Sequence, residues 1–181
     1  NKIGAPVTKG SCPVCNTVLY RTGKTPEHEK LTPPKSIKRE PKLSGNLVIV
    51  ESPAKAKTVQ RFLGNQFKVR ASIGHVRDLL KSELSVDVNQ NFQPKYRVPN
   101  EKRQLVKELK LLARTSEQIY LATDPDREGE AIAWHLTEAA EIDPNRVQRV
   151  VFHEITKPAI EEAFREPRKI DLDLVNAQQA R

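Results

Sequence analysis

The sequence of 181 residues has little cysteine and lacks any long apolar run. Its two cysteines, Cys12 and Cys15, are too few for the disulfide framework of a small secreted domain, so we expect an intracellular setting. No apolar stretch approaches the roughly 20 residues of a membrane-spanning helix. No secretory signal pattern is present either. The length then predicts one globular domain with appendages and no membrane partner.

Positive charge is concentrated at the start of the chain. The formal net charge is +8, and residues 1–46 contribute +6 of it, from nine Lys or Arg and three Glu. The same segment holds six of the thirteen prolines. Between Thr25 and Gly45 it shows no sustained hydrophobic period, which predicts a flexible linker. A basic segment of this kind is suited to binding phosphates, although solubility alone would also explain it.

Cys12 and Cys15 form a Cys-Pro-x-Cys pair that is followed by a short β-like run ending at Arg21. This arrangement is similar to half of a zinc ribbon. A structural zinc ion takes four ligands, and His28 is a poor third because it lies in unpatterned polar sequence. A complete site would need a second cysteine pair, so Zn²⁺ at Cys12 and Cys15 is only a candidate. Residues 1–45 are expected to form a mostly flexible basic extension.

From residue 46 onward, short apolar runs alternate with helical patterns. The run 47–50 predicts a buried parallel strand, after which Ser52 and Pro53 predict the start of a helix that Gly64 ends. The other predicted strands lie at 67–72, 118–122 and 147–152. The other predicted helices are one capped by Asn100, one covering 131–136, one opened by Thr156 or Lys157, and one covering 174–181. Residues 80–99 are predicted to be mostly irregular. This alternation predicts an α/β fold with a mainly parallel four-stranded sheet flanked by helices.

Three carboxylates, Asp124, Asp126 and Glu128, alternate directly after the third predicted strand. In an extended segment such side chains share one face, so their negative charges require a cation between them or a proton on one of them. Hard oxygen ligands of this kind suit Mg²⁺. A solvated acidic turn is the plain alternative. A calcium-binding EF-hand is disfavoured because its twelfth position falls on His135, which we expect to be structural.

A fourth carboxylate is expected near these three acids, since the carboxyl ends of parallel strands meet at one edge of the sheet. Glu51 ends the first predicted strand and should therefore lie near Asp124 and Asp126. Lys55 can reach a phosphate held at the start of the first helix, or can simply pair with Glu51. His75, in the loop after the second strand, is either a phosphate contact or a loop histidine with ordinary partners.

Five segments together resemble the Toprim domain of bacterial type IA DNA topoisomerase I. They are residues 47–58, 74–79, 122–136, 152–157 and 176–181. Toprim domains also occur in primases, recombination proteins and nucleases, but the run Glu-Ser-Pro-Ala-Lys-Ala-Lys-Thr from Glu51 to Thr58 points to a topoisomerase. The resemblance implies a Toprim (Rossmann-like) catalytic domain at 46–155 and the start of a following helical domain at 156–181.

The resemblance also implies an ATP-independent isomerase that cuts and rejoins one DNA strand through a phosphotyrosine, thereby relaxing negative supercoils. It implies that Mg²⁺ is held by Glu51, Asp124 and Asp126 with help from Glu128, and that Lys55 lies beside the scissile phosphate. These five residues would be the catalytic residues of the chain. The DNA-binding residues that it implies are His75, Phe152, His153, Thr156 and Arg181.

The partners that the resemblance implies are a single-stranded segment of underwound DNA and the remaining topoisomerase domains, in a monomer of the bacterial cytoplasm associated with the nucleoid. The family's nucleophile is a tyrosine in a pattern close to Tyr-x-Arg-Thr-Asp-Ser, which this sequence lacks. The run from Tyr20 to Thr22 has the wrong spacing, and neither Tyr96 nor Tyr120 fits. We therefore expect a fragment that is inactive alone. The alternatives are a non-catalytic DNA-binding module and another Toprim enzyme, such as a primase or nuclease.

Overall fold

The computed structural model describes residues 6–26, 45–80, 84–90 and 92–180. The chain divides into two compact units, Asn1–Glu40 and Pro41–Arg181. The basic linker predicted between Thr25 and Gly45 falls almost entirely outside the described residues. Within the described part of the chain, no helix is both long and apolar enough to cross a membrane.

The first unit contains an antiparallel hairpin. Strand β1 (Val7–Ser11) pairs with β2 (Val18–Thr22), and Ser11 lies opposite Val18. The β-like run predicted after the cysteine pair is confirmed as β2. Strand β1 was not predicted, because its residues are short of apolar side chains and carry no alternating pattern.

The second unit is an α/β structure. Its strands are β3 (Asn46–Val50), β4 (Phe67–Ala71), β5 (Asp78–Leu79), β6 (Val86–Asp87), β7 (Gln93–Pro94), β8 (Tyr96–Arg97), β9 (Gln118–Leu121) and β10 (Val147–Arg149). Its α-helices are α1 (Pro53–Leu63), α2 (Arg103–Thr115), α3 (Arg127–Ala139), α4 (Lys157–Arg165) and α5 (Leu172–Gln179). The order β10-β9-β3-β4, with every pairing parallel, confirms the predicted four-stranded sheet.

Strand β3 is apolar on both faces because each face of the sheet is covered by helices. Leu47 and Ile49 pack in a cluster that includes Leu109 of α2 and residues of α3. Val48 and Val50 pack on the opposite face, in a cluster supplied by α1 and α4. Alternate side chains of a strand point to opposite faces, so a continuous apolar run is what a sheet covered on both sides requires.

The predicted helix starts are confirmed for α1 and α4. The hydroxyl of Ser52 accepts a hydrogen bond from the backbone N–H of Lys55 at 3.2 Å, Pro53 is the first helical residue, and Gly64 follows the last with φ of 72°. Thr156 caps α4 by accepting from the N–H of Ala159.

The described residues of 80–99 are mostly irregular, as predicted, and they also contain the short strands β6, β7 and β8, of which β6 pairs with β7 and β8 pairs with β5. Three local predictions are wrong. Asn100 does not cap α2, because the N–H of Lys102 bonds to the carbonyl of Pro99 in a tight 3-10 turn that precedes the helix. Strand β10 ends at Arg149 rather than at residue 152. Helix α5 begins two residues earlier than predicted, because Asp171 caps it.

Candidate active site at the carboxyl edge of the sheet

Glu51 and Asp124 lie side by side where β3 and β9 end. The carboxylate oxygen Oε1 of Glu51 accepts a hydrogen bond from the backbone N–H of Asp124 at 2.8 Å. The two residues are 73 positions apart in the sequence. They meet because their strands are parallel neighbours in register, with Ile49 opposite Leu121. The predicted approach of Glu51 to the acidic segment is therefore present.

Lys55 places its ammonium group between these two acids. Its Nζ hydrogen-bonds to Oδ1 of Asp124 and lies 3.9 Å from Oε2 of Glu51. Burial raises the pKa of Glu51, and the negative charge of Asp124 adds to that rise, while the Asp124 N–H and Lys55 oppose it. One cation thus balances two carboxylates at the edge of the sheet, which is the arrangement that like charges at this distance require.

Glu128 does not continue the extended segment, because α3 begins at Arg127, so the prediction that all three alternate acids share one strand-like face is wrong. Asp126 is the N-cap of α3, and its Oδ1 accepts from the N–H of Gly129 at 2.7 Å. Glu128 lies exposed in the first helical turn. Within the described residues, no three Asp, Glu, His or Cys side chains are gathered as a ligand set for a metal ion.

The turn from Asp124 to Gly129 is packed tightly on itself. A Cβ atom at Gly129 would overlap the backbone of Asp124, so only glycine fits at this position. The hydroxyl of Thr123 donates to the carbonyl of Gly129 at 2.6 Å. These contacts fix the backbone that carries Asp124 and Asp126.

Arg149, at the end of β10, hydrogen-bonds to the turn formed by residues 124–129, which we call the acidic turn. Its side chain is fully buried; Nη2 donates to the carbonyl of Asp124 at 2.6 Å, and Nη1 donates to the carbonyls of Leu121 and Val150. Its charge is balanced by the equally buried Glu130, whose Oε2 accepts from Nε at 2.9 Å. The guanidinium therefore joins the acidic turn to two strand ends.

Glu130 extends the connection to α5. Its Oε2 also accepts from Arg168 at 3.1 Å, and its Oε1 accepts from the N–H of Asp171, the residue that caps α5. Neither Glu130 nor Arg149 was predicted as part of the site. The sequence does contain a signal for them, because an Arg within a buried strand and a Glu on the buried side of a helix each require an opposite charge.

A second group of side chains surrounds Arg77, in the loop after β4. Its Nε donates to Nδ1 of His135 at 3.0 Å, so His135 is held as a neutral acceptor inside α3. Burial lowers the pKa of His135 to about 4, with further lowering by the charges of Arg77 and His75. This placement agrees with the structural role expected for His135. The ring of His75 is exposed, with its centroid 6.3 Å from that of His135.

The residues predicted to contact DNA are placed differently from one another. His75, His153 and Thr156 are exposed, although Thr156 is also the cap of α4. Phe152 is half-buried against the apolar cluster beneath α1 and α4. Arg181 lies outside the described residues. The DNA-binding roles of all five stay predictions.

Cys12 and Cys15 lie in the turn of the first unit's hairpin. The turn is closed by two backbone hydrogen bonds, from Asn16 to the carbonyl of Cys12 and from Cys12 to the carbonyl of Thr17, both 2.9 Å. Hydrogen bonds from Thr17, followed by a smaller one from Cys12, lower the pKa of the exposed Cys15 thiol. Two cysteines would be only half of the four ligands that a structural zinc ion takes, and zinc binding stays a prediction.

Comparison with known proteins connects this geometry to one family. Residues 46–155 match the family model described as the Toprim domain. The chain is also similar to the solved structure of full-length topoisomerase I from Thermotoga maritima, with 47% sequence identity and a TM-score of 0.69. That match covers 75% of this chain and 23% of the Thermotoga chain, so the chain spans about a quarter of the relative's length.

Replacing Arg149 by Lys tests the connection beneath the acidic turn. Lysine keeps the positive charge but cannot donate at once to Glu130 and to the carbonyls of Leu121, Asp124 and Val150. We expect the free energy of unfolding to fall by about 3 kcal/mol, because buried acceptors and a buried carboxylate lose donors. Urea unfolding followed by circular dichroism measures the change.

Arg70→Lys is the matched control, since the pair of Arg70 with Glu108 is about half exposed on both sides. We expect that change to alter the free energy of unfolding by no more than about 0.5 kcal/mol. Equal effects of the two substitutions would contradict the role assigned to Arg149.

The pKa of His135 predicts a pH dependence of stability. An unfolded histidine titrates near 6.5, whereas folded His135 titrates at about 4, so between these values the unfolded chain binds a proton that the folded chain does not. Stability contributed by neutral His135 should be present above pH 6.5 and be lost as the pH falls toward 4, by up to roughly 3 kcal/mol. His135→Asn keeps an acceptor for Arg77 but cannot titrate. Its unfolding free energy should fall less steeply over this interval; parallel pH profiles of the two proteins would refute the assignment.

Proposed function

We propose a function for this chain from its membership of the Toprim family, as the Toprim domain of a bacterial type IA DNA topoisomerase I. The chain would supply the Mg²⁺-binding half of an active site that cuts and rejoins one DNA strand. The proposed substrate is a single-stranded segment of underwound DNA, and the reaction passes through a phosphotyrosine. The tyrosine would come from other domains of the topoisomerase, with which this chain would act in the bacterial cytoplasm. The observation that carries the proposal is the meeting of Glu51, Asp124 and Lys55 at one sheet edge.

The donor chemistry of this edge fits Mg²⁺. Glu51, Asp124, Asp126 and Glu128 offer only carboxylate oxygens, which are the ligands that this ion prefers. Asp126 uses Oδ1 to cap α3, and among the described residues its second oxygen has no hydrogen-bond partner. We propose that Glu51, Asp124 and Asp126 hold the ion and that Glu128 assists. When bound, Mg²⁺ would stabilise the negative charge that develops on phosphate and leaving oxygens.

Lys55 is the residue that we propose to contact the scissile phosphate. It lies in the first turn of α1, where the positive end of the helix dipole also favours an anion. Its ammonium bonds to Asp124 in the structure and can turn from that carboxylate to a phosphate oxygen. Glu51 and Asp124 would then need a different cation, so bound DNA would strengthen the binding of the metal ion at this site.

Arg149 would act by position and not by contact with DNA. It holds the carbonyl of Asp124 while Glu130 holds the cap of α5, so the acidic turn and α5 are fixed to one buried ion pair. Catalytic groups must be held to within a fraction of an ångström of their working geometry. The buried pair provides that constraint for Asp124.

A chimera tests the proposed function. Residues 46–180 of this chain replace the matching segment of the Thermotoga topoisomerase I, and relaxation of negatively supercoiled plasmid is followed on gels in Mg²⁺. We expect relaxation by the chimera and a loss of at least about 100-fold with Asp124→Asn/Asp126→Asn or with Lys55→Ala, in line with the removal of electrostatic catalytic groups. The 181-residue chain alone should not relax the plasmid.

Asp143→Asn is the matched control in the same chimera. Asp143 also caps a helical turn, by accepting from the N–H of Asn145, but it lies outside the acidic edge. We expect full activity from that variant. A chimera whose Asp124→Asn/Asp126→Asn variant relaxes plasmid as fast as the Asp143→Asn variant would refute the proposal.

A further inference from the structure

Helix α2 carries a line of positive charge along its outer surface. Its four basic residues are spaced by four, three and four positions, which places them on one side of the helix: Arg103, Lys107, Lys110 and Arg114. Three of them are exposed, and Lys110 is partly buried. The line is about 16 Å long, since each residue of a helix adds about 1.5 Å. We call these four residues the basic stripe.

The fold neutralises little of the charge on this stripe. Lys110 pairs with Glu141, and the other three side chains have no ion pair in the described part of the chain. Glu108, the one acid within α2, lies on the other side of the helix and pairs with Arg70 of β4 at 3.3 Å. A row of cations without counterions is suited to the regularly spaced phosphates of a nucleic acid.

The basic stripe begins beside the candidate active site. Lys102, directly before α2, donates from Nζ to the carbonyl of Ile73, in the loop that follows β4 at the carboxyl edge of the sheet. The helix ends at the opposite edge, where the N–H of Glu117 donates to the carbonyl of Gly45, directly before β3, at 2.9 Å. The stripe therefore leads away from the edge that carries the acidic side chains.

The chemistry of α2 favours duplex over single-stranded DNA as the ligand of the stripe. The helix contains no Phe, Tyr or Trp, so it offers no ring on which an unpaired base could stack, and single-strand sites depend on such stacking. It offers charge in a straight line, which suits a phosphate backbone whose bases are turned inward. A length of about 16 Å corresponds to about five base pairs, at about 3.4 Å for each.

We propose that the basic stripe binds the phosphate backbone of the duplex DNA that flanks the single-stranded segment at the active site. The duplex would leave the carboxyl edge of the sheet and lie along α2, held mainly by Arg103, Lys107 and Arg114. Because these contacts go to phosphates, they would not depend on base sequence. The inference rests on the proposed function, since it takes the single-stranded segment to lie at the acidic edge.

Two fluorescent-labelled DNA molecules separate binding at the stripe from binding elsewhere on the chain. One is a single strand, and the other is the same strand extended by a duplex of about ten base pairs, twice the length of the stripe. Label anisotropy with the 181-residue chain gives the affinity for each over a series of salt concentrations. We expect the duplex extension to raise the affinity roughly tenfold. It should also steepen the fall of log K with log salt concentration by between about 2 and 3, since each phosphate contact contributes about 0.9.

Arg103→Gln/Lys107→Gln/Arg114→Gln, the stripe variant, removes three positive charges and keeps side chains that favour a helix. It should abolish the gain from the duplex extension and leave the affinity for the single strand unchanged. Circular dichroism establishes that the variant is folded. The comparison of the two DNA molecules on the unaltered chain does not depend on the variant, and a duplex extension that adds no affinity there would overturn the inference.

The matched control is Arg61→Gln/Arg165→Gln/Lys169→Gln, which removes the same charge from exposed positions outside α2 and should keep the gain. Equal losses in the two variants would mean that only net charge matters and would overturn the inference. Loss of affinity for the single strand as large as that for the extended molecule would overturn the choice of duplex as the ligand. In each of these cases, binding of the single strand by the unaltered chain would leave the proposed function standing. Absence of binding to either molecule would overturn the inference together with the DNA-binding part of the proposed function.

Discussion

The buried pair of Arg149 and Glu130 is the constraint on which the candidate site depends. Four backbone segments meet at it: the ends of β9 and β10, the turn after Asp124, and the cap of α5. Removing two charges from water is expensive, and the cost is offset here because each charged group has several hydrogen-bond partners. A hydrophobic replacement would leave the carbonyl of Asp124 and the N–H of Asp171 without partners, so the pair supports both the geometry and the stability of this region.

At the carboxyl edge of the sheet, three of the four acidic side chains are held in place by hydrogen bonds or ion pairs, and the fourth, Glu128, is exposed to solvent. Glu51 and Asp124 are fixed by a backbone hydrogen bond and by Lys55, while Asp126 is fixed by its role as the cap of α3. Glu128 is exposed on the first turn of that helix. Charges held in this way gain from a cation between them, and either the ammonium of Lys55 or a bound metal ion can provide it. In the proposed function, a bound metal ion would take the place of the Lys55 ammonium at this edge.

Most of the fold could be predicted from the sequence because its signals are local. The run 47–50, the cap at Ser52 and the glycine after α1 each act within a few residues. The parallel direction of the strands follows from their alternation with helices. Part of what could not be predicted depends on distant partners, and part depends on which of several local hydrogen bonds the backbone forms. Arg149 pairs with Glu130, nineteen residues away. Asp126 caps α3, so the helix begins before Glu128, for which an extended backbone was expected. The 3-10 turn before α2 likewise defeats the simple assignment of Asn100 as its cap.

The most direct test of this account is a Mg²⁺ titration of the 181-residue chain followed by backbone amide NMR, with Asp124→Asn/Asp126→Asn beside the Asp143→Asn control. We predict saturable shifts at Glu51 and at residues 123–129 in the unaltered chain and in the control, but not in the double variant. Those shifts should extend to Asp171, because Glu130 joins its N–H to the acidic turn. Saturable shifts of the same size in the double variant, or none in the unaltered chain, would contradict a magnesium site at this edge of the sheet.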